Sequence, residues 1–142
     1  MTNEITFTKV EGTEQQVNDL YNLLKNRSFN ISHKSTPSYD EHYEFVMKNP
    51  YIAWYLIYEN FKCIGSCYVM DSNCISVSLI DGSEKFLSTV LDFIIQNHSP
   101  LKEIKSVRPP NFYINIPTNN ALMKEQVAKL GWTEIQTTFS LT

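Results

Sequence analysis

From Ile5 to Val10 the chain alternates apolar and polar residues (Ile-Thr-Phe-Thr-Lys-Val), the period of a strand with one face buried. Beyond Thr13 the period lengthens. Val17, Leu20, Tyr21 and Leu24 recur at helical spacing behind Thr13-Glu-Gln-Gln16, whose hydroxyl and glutamine have the form of a capping box. This predicts a helix ending near Asn26. A polar connector follows from Arg27 to Pro37. Ser38-Tyr-Asp-Glu41 then opens a second, short helix to about Lys48, where Asn49-Pro50 stops it, because proline disfavours a helical residue before it.

Residues 51–80 change character. Tyr51 to Tyr58 is aromatic and β-branched, Asn60 marks a turn, and Phe61 to Met70 reads as a second strand. Strict alternation puts Phe61, Cys63, Gly65, Cys67 and Val69 on one face and Lys62, Ile64, Ser66, Tyr68 and Met70 on the other. Asp71-Ser-Asn73 turns again into a third strand, Cys74 to Ile80. Turns this short make the three strands antiparallel neighbours. The helical period returns with Phe86, Leu87, Val90, Leu91, Ile94 and Ile95, ending at His98-Ser-Pro100. A loop through Pro109-Pro110 leads to a strand, Phe112 to Ile116, stopped by Pro117. Asn119 and Asn120 suit the N-cap of a last helix carrying Met123, Val127 and Leu130, with Gly131 as its left-handed stop. Trp132 to Leu141 alternates once more as a final strand. The predicted order is β-α-α-β-β-β-α-β-α-β. The fold class is α/β in the broad sense (α+β), a mixed, mostly antiparallel central sheet flanked by helices, with residues 1–142 forming one domain and a right-handed final crossover.

Composition narrows the function classes. Apolar residues make up 42% of the 142 and charged residues 19%, a globular balance. A net charge of -3 gains little from phosphate attraction, which argues against nucleic acid as partner. The sequence holds no apolar run of about 20 residues and no basic, apolar leader, so the expectation is a cytoplasmic protein without a membrane partner. Cys63, Cys67 and Cys74 form no CxxC. Four residues of strand separate the first two by about 13 Å, too far for one metal or a disulfide, so reduced, buried thiols and no metal site are expected.

Two stretches carry a resemblance. Ala53-Trp-Tyr-Leu-Ile-Tyr-Glu-Asn-Phe-Lys-Cys-Ile-Gly-Ser66 is similar to the central hairpin of the GNAT superfamily of acyl-CoA-dependent N-acetyltransferases, with its "IG" pair at Ile64-Gly65. Asn115-Ile-Pro-Thr-Asn-Asn-Ala121 and Lys129-Leu-Gly-Trp132 resemble that family's Asn-rich strand end, helix and closing step. The element order matches over essentially the whole chain, and the nearest subgroup acts on amino groups of sugars or sugar nucleotides.

The resemblance implies acetyl-CoA as substrate and a small-molecule amine as acceptor, with direct attack in a ternary complex. Its pantetheine arm would lie in a splayed sheet along Val77, Ser78 and Leu79, where backbone amides polarise the thioester carbonyl. The diphosphate would sit at the following helix N-terminus. Gly82, Ser83 and Lys85 join the cofactor side there, as does Asn120. Where the family has a glycine-rich loop, this chain has Asp81-Gly-Ser-Glu-Lys85, with one glycine and two carboxylates. Glu125-Gln-Val127 lacks the aromatic that the family often uses as an acid. The alternative reading is therefore a catalytically degenerate binding or assembly module.

Among candidate catalytic groups, Tyr113 and Asn115 project to one side of their strand beside the expected splay, and the resemblance implies that His33 and His42 stand in the segment that walls the acceptor site, where an imidazole base could take the proton of an attacking ammonium. The plainer reading makes His33 a loop residue, His42 a helix-surface residue, Glu41 half of a capping box, and His98 a charge at a helix C-terminus. A sheet edge left bare at the C-terminal end suggests a homodimer.

Overall fold

The computed structural model describes residues 4–27 and 36–142. Its elements are β1 (Ile5–Lys9), α1 (Glu14–Lys25), α2 (Tyr39–Lys48), β2 (Ala53–Glu59), β3 (Lys62–Val69), β4 (Cys74–Leu79), one 3-10 turn (Glu84–Phe86), α3 (Leu87–Asn97), β5 (Tyr113–Ile114) and α4 (Ala121–Lys129). The five strands form one sheet in the order β1-β2-β3-β4-β5, antiparallel except for the parallel β4–β5 pair.

Both capping boxes form. The Thr13 side chain accepts from Gln16 N–H and the Ser38 side chain from Glu41 N–H. Gln16 goes further, because its Oε1 accepts from the amides of Glu11, Gly12 and Thr13 and its Nε2 donates to the Lys9 carbonyl. One buried amide thus fixes the whole turn from β1 into α1.

The sheet is covered on both faces. Val17 and Leu20 of α1 and Val46 of α2 pack on Trp54 and Leu56. On the other face Leu87, Val90, Leu91 and Ile94 of α3, with Val127 of α4, pack on Ile57, Ile64, Cys67, Val69 and Ile75. Each such fully buried aliphatic side chain contributes about 1.5–3 kcal/mol relative to exposure. The Trp54 indole N–H is buried without a hydrogen-bond acceptor, inside a cluster of the Phe45, Tyr51 and Tyr68 rings, whose faces are weak acceptors.

Three expectations need correction. The alternation through β3 changes phase. Ile57 pairs with Gly65 but Tyr58 with Cys63, so Ile64 is an extra residue in a β-bulge. Ile64, Cys67 and Val69 consequently share the α3 face while Cys63 packs toward α1. His42 is not on the helix surface. It is buried at 6% exposure, with Nε2–H donating to the Val17 carbonyl at 3.2 Å. The final strand is absent: residues 132–142 have no regular structure, and Ile135, Phe139 and Leu141 are exposed at 74%, 90% and 103%. The strand expected over 112–116 is reduced to two residues, which leaves the C-terminal segment little edge to pair with.

Candidate functional site

The sheet forks between β4 and β5. Their pairing consists of Cys74 with Tyr113 and Ile75 with Ile114, and stops there. Which main-chain groups this exposes follows from the β3–β4 register. Met70 N–H bonds to the Cys74 carbonyl and Ile80 N–H to the Ile64 carbonyl, with the intervening pairs in strict antiparallel register. Hydrogen-bonded and non-bonded pairs alternate in such a ladder, so residues 74, 76, 78 and 80 face β3. The N–H and C=O of Val77 and Leu79 therefore point away from β3, into the fork, where no strand among the described residues pairs with them. Ser78, expected to offer its amide to the fork, spends it on Ser66 instead.

Gly65 is what allows β3 and β4 to approach at this point. A Cβ built on it would overlap the Ser78 carbonyl oxygen and crowd Leu79.

The open end of the fork adjoins the turn from β4 into α3. Gly82 has φ +92°, and space for a side chain there is open. Its N–H nevertheless has a partner: the Glu84 carboxylate accepts it at 2.6 Å. Ser83 is buried, with its N–H on the Ile80 carbonyl at 3.0 Å. Gln126 of α4 donates from Nε2 to the Glu84 carbonyl at 2.9 Å, tying the turn to α4. The Lys85 ammonium lies 5.3 Å from the centre of the Phe86 ring. Asn120 caps α4, its Oδ1 accepting from Met123 N–H at 3.2 Å.

Tyr113 and Asn115 come together, as their spacing predicts. Both line a cleft of about 460 Å³ with Glu103, Ile104, Arg108 and Gln136. Asn115 Nδ2 lies 3.6 Å from the buried Cys74 Sγ. The cleft wall, residues 101–110, has almost no regular structure of its own; a single antiparallel bridge joins Ile104 to Arg108. Arg108 is held by the Lys102 and Asp71 carbonyls at 2.7 and 3.2 Å. His33 lies outside the described residues.

Asn73 carries a role that its place in an Asp71-Ser-Asn73 turn does not announce. It is 1% exposed and adopts φ +71°. Its Nδ2 donates to the Leu101 and Pro109 carbonyls at 2.9 and 2.8 Å, and its Oδ1 accepts from Leu101 N–H at 2.7 Å. Tyr113 N–H bonds to its carbonyl at 3.1 Å. One side chain thus holds both ends of the cleft wall and the start of β5. An Asn in a turn after a strand was the available signal, since asparagine tolerates the left-handed region and bonds locally, but its distant partners were invisible.

Burial favours the protonated form of all three thiols, although Cys63 is only partly buried. Burial pushes Cys63 up to about 11 and Cys67 up to about 12, and raises Cys74 as well. A second cleft of about 180 Å³ lies by α1, Cys63 and Ile80, where Asp19 is engaged by the Tyr58 hydroxyl at 2.7 Å and Gln15 at 3.0 Å. No cluster of metal-ligating residues occurs among the described residues, and no helix among them is long and apolar enough to cross a membrane.

No protein-family model and no curated protein sequence matches the chain. Solved structures do. A domain from Methanocaldococcus jannaschii superposes with TM-score 0.68 at 18% identity, covering 96% of this chain and 93% of its own. The aminoglycoside N-acetyltransferase AAC(6')-Iy, in complex with a CoA bisubstrate analog, gives 0.65 at 10% identity, covering 98% and 97%. The dodecameric spermidine N-acetyltransferase from Vibrio cholerae gives 0.61 at 15%, covering 93% and 81%. At these identities the likeness establishes the fold alone, one that this chain shares with the structures just named.

Proposed function

We propose that this protein is an N-acyltransferase that moves an acetyl group from acetyl-CoA to the amine of a small molecule by direct attack in a ternary complex. One observation carries the reading. The β4–β5 pairing ends after two residues, and the main-chain dipoles of Val77 and Leu79 are left facing the fork. An extended amide-bearing arm is the natural complement of such an edge, and structures of the same fold contain CoA or a CoA analog. An N–H turned into the fork suits the oxygen of a thioester whose carbon is under attack.

The acceptor would occupy the cleft beside Tyr113 and Asn115, on the sheet face that Cys74 shares. Tyr113 would give its hydroxyl proton to the departing thiolate, and the Asn115 amide would orient the amine. The amine nitrogen forms the new bond to the carbonyl carbon, the carbon–sulfur bond breaks, the nitrogen's surplus proton leaves to solvent, and the Tyr113 phenolate regains a proton from solvent. The fork suits the arm, whereas at the turn the Gly82 amide that a diphosphate would use is already held by Glu84, so the diphosphate must displace that carboxylate to bind.

The test is calorimetry with acetyl-CoA and desulfo-CoA, followed by product mass measurement across sugar, polyamine and amino-acid amines. Heat with both ligands and a mass gain of one acetyl group are expected. Absence of heat at high micromolar ligand would remove the donor. A second reading, a binding module without turnover, draws on the same Gly82–Glu84 contact. It predicts ligand binding with no acetylated product from any amine. The short β5 edge and the exposed Ile135, Phe139 and Leu141 support self-association as a dimer, which light scattering would read as twice the chain mass.

A further inference from the structure

We propose that Glu84 is a specificity-determining residue that discriminates against donors carrying a phosphate where the fork meets α3. The proposal rests on the acyl-transfer reading above. β4 runs directly into the turn 80–86, so a chain laid along Val77 and Leu79 leaves the fork beside Gly82. The N–H of the left-handed Gly82, in an exposed turn ahead of a helix, is a natural place for an anionic oxygen. Here the protein supplies that oxygen itself, Glu84 Oε1 at 2.6 Å.

The contact is braced rather than incidental. Ser83 N–H is fixed on the Ile80 carbonyl, and Gln126 holds the Glu84 carbonyl from α4. Glu84 can therefore release Gly82 only by rotating its side chain. A phosphate entering here must displace a charge-assisted bond and then sit beside the displaced carboxylate, a like-charge contact at short range. A donor whose arm is uncharged at this point meets neither obstacle. Glu84 thus sets the affinity for a nucleotide-bearing donor without touching the arm.

The experiment compares CoA with S-acetylpantetheine, which has the same arm and no phosphate, on the wild-type protein, Glu84→Gln and Glu84→Ala. Glutamine keeps the side-chain length and an acceptor oxygen but removes the charge. CoA affinity is expected to rise about tenfold or more in both variants at low salt, and the gain to shrink at high salt. Acetylpantetheine affinity is expected to stay within about twofold. Equal CoA affinity in all three proteins overturns the proposal while leaving acyl transfer standing. An equal gain for both ligands also overturns it, because Glu84 would then act on the arm. No binding of either ligand to any of the proteins refutes the acyl-transfer reading and this proposal with it.

Discussion

Replacing Asn73 with alanine removes three hydrogen bonds and leaves a Cβ-bearing residue at φ +71°. Each bond contributes about 0.5–1.5 kcal/mol, and alanine in the left-handed region costs about 1 kcal/mol more than asparagine there. The simple sum is about 2.5–5.5 kcal/mol. Residues 101–106, at one end of the wall, are exposed, so water can reach part of what the side chain abandons, which brings the expectation to about 2–4 kcal/mol. For a domain of this size that is a fall in Tm of about 4–16 °C. Urea unfolding should register it as a lower midpoint with unchanged slope, and limited proteolysis should cut between residues 100 and 112 before the rest of the chain. Two companions separate the causes. Asn73→Gly keeps the backbone conformation and should recover about 1 kcal/mol relative to alanine. Asn73→Asp turns a carboxylate oxygen toward the Leu101 and Pro109 carbonyls and should be at least as damaging as alanine. An alanine variant within about 0.5 kcal/mol of wild type would refute the role assigned to the side chain. A glycine variant as stable as wild type would show that only the backbone angle matters.

Gly65→Ala should destabilise by about 1–3 kcal/mol, because the new Cβ meets the Ser78 carbonyl and β4 must shift; calorimetric unfolding checks this, and a neutral result would mean that the strands separate freely. His42 is held neutral by burial, below the ordinary 6.5. As pH falls below about 6.5 the unfolded chain takes up this proton before the folded one, so stability drops until the lowered folded pKa is passed. Urea midpoints at successive pH values should therefore fall more steeply for wild type than for His42→Gln, and parallel curves would contradict this. With Cys63 near 11 and Cys67 near 12, a thiol reagent at pH 8 should label the native protein far more slowly than the denatured one, where three thiols react; rapid native labelling of Cys67 would overturn its placement in the core.

The elements were legible because their signals are local. Thr13 and Gln16 are three residues apart, as are Ser38 and Glu41, and each pair both announces and closes its own helix. The two-turn meander of β2, β3 and β4 was likewise readable from Asn60 and from Asp71-Ser-Asn73. What failed were features that depend on a partner. The bulge at Ile64 reverses which face Cys67 occupies, and nothing in the alternation of β3 marks it. His42 sits at a position that reads as surface until α1 covers it. That Tyr113 and Asn115 line one cleft follows from their shared face, and the position of Val77 and Leu79 at the fork follows from the element order. The loads carried by Asn73, Glu84 and Gln126 were not found, since their partners lie 28 to 42 residues away or emerge only once the turn has closed.

The C-terminal segment shows where local pattern stops carrying information. Ile135, Phe139 and Leu141 alternate with polar residues as a half-buried strand does, yet they lie exposed beside an edge two residues long. Alternation states which side chains would turn inward if an edge were present; it does not state that one is. The fork creates this situation. Pro117 ends the run that began at Phe112, and departure from β4 after Ile114 leaves β5 without the length to template a neighbour on its far side. The same early departure that leaves the main chain of Val77 and Leu79 facing the fork also deprives the last eleven residues of a partner strand. A change that lengthened the β4–β5 pairing would therefore be expected to order the tail and close the fork together.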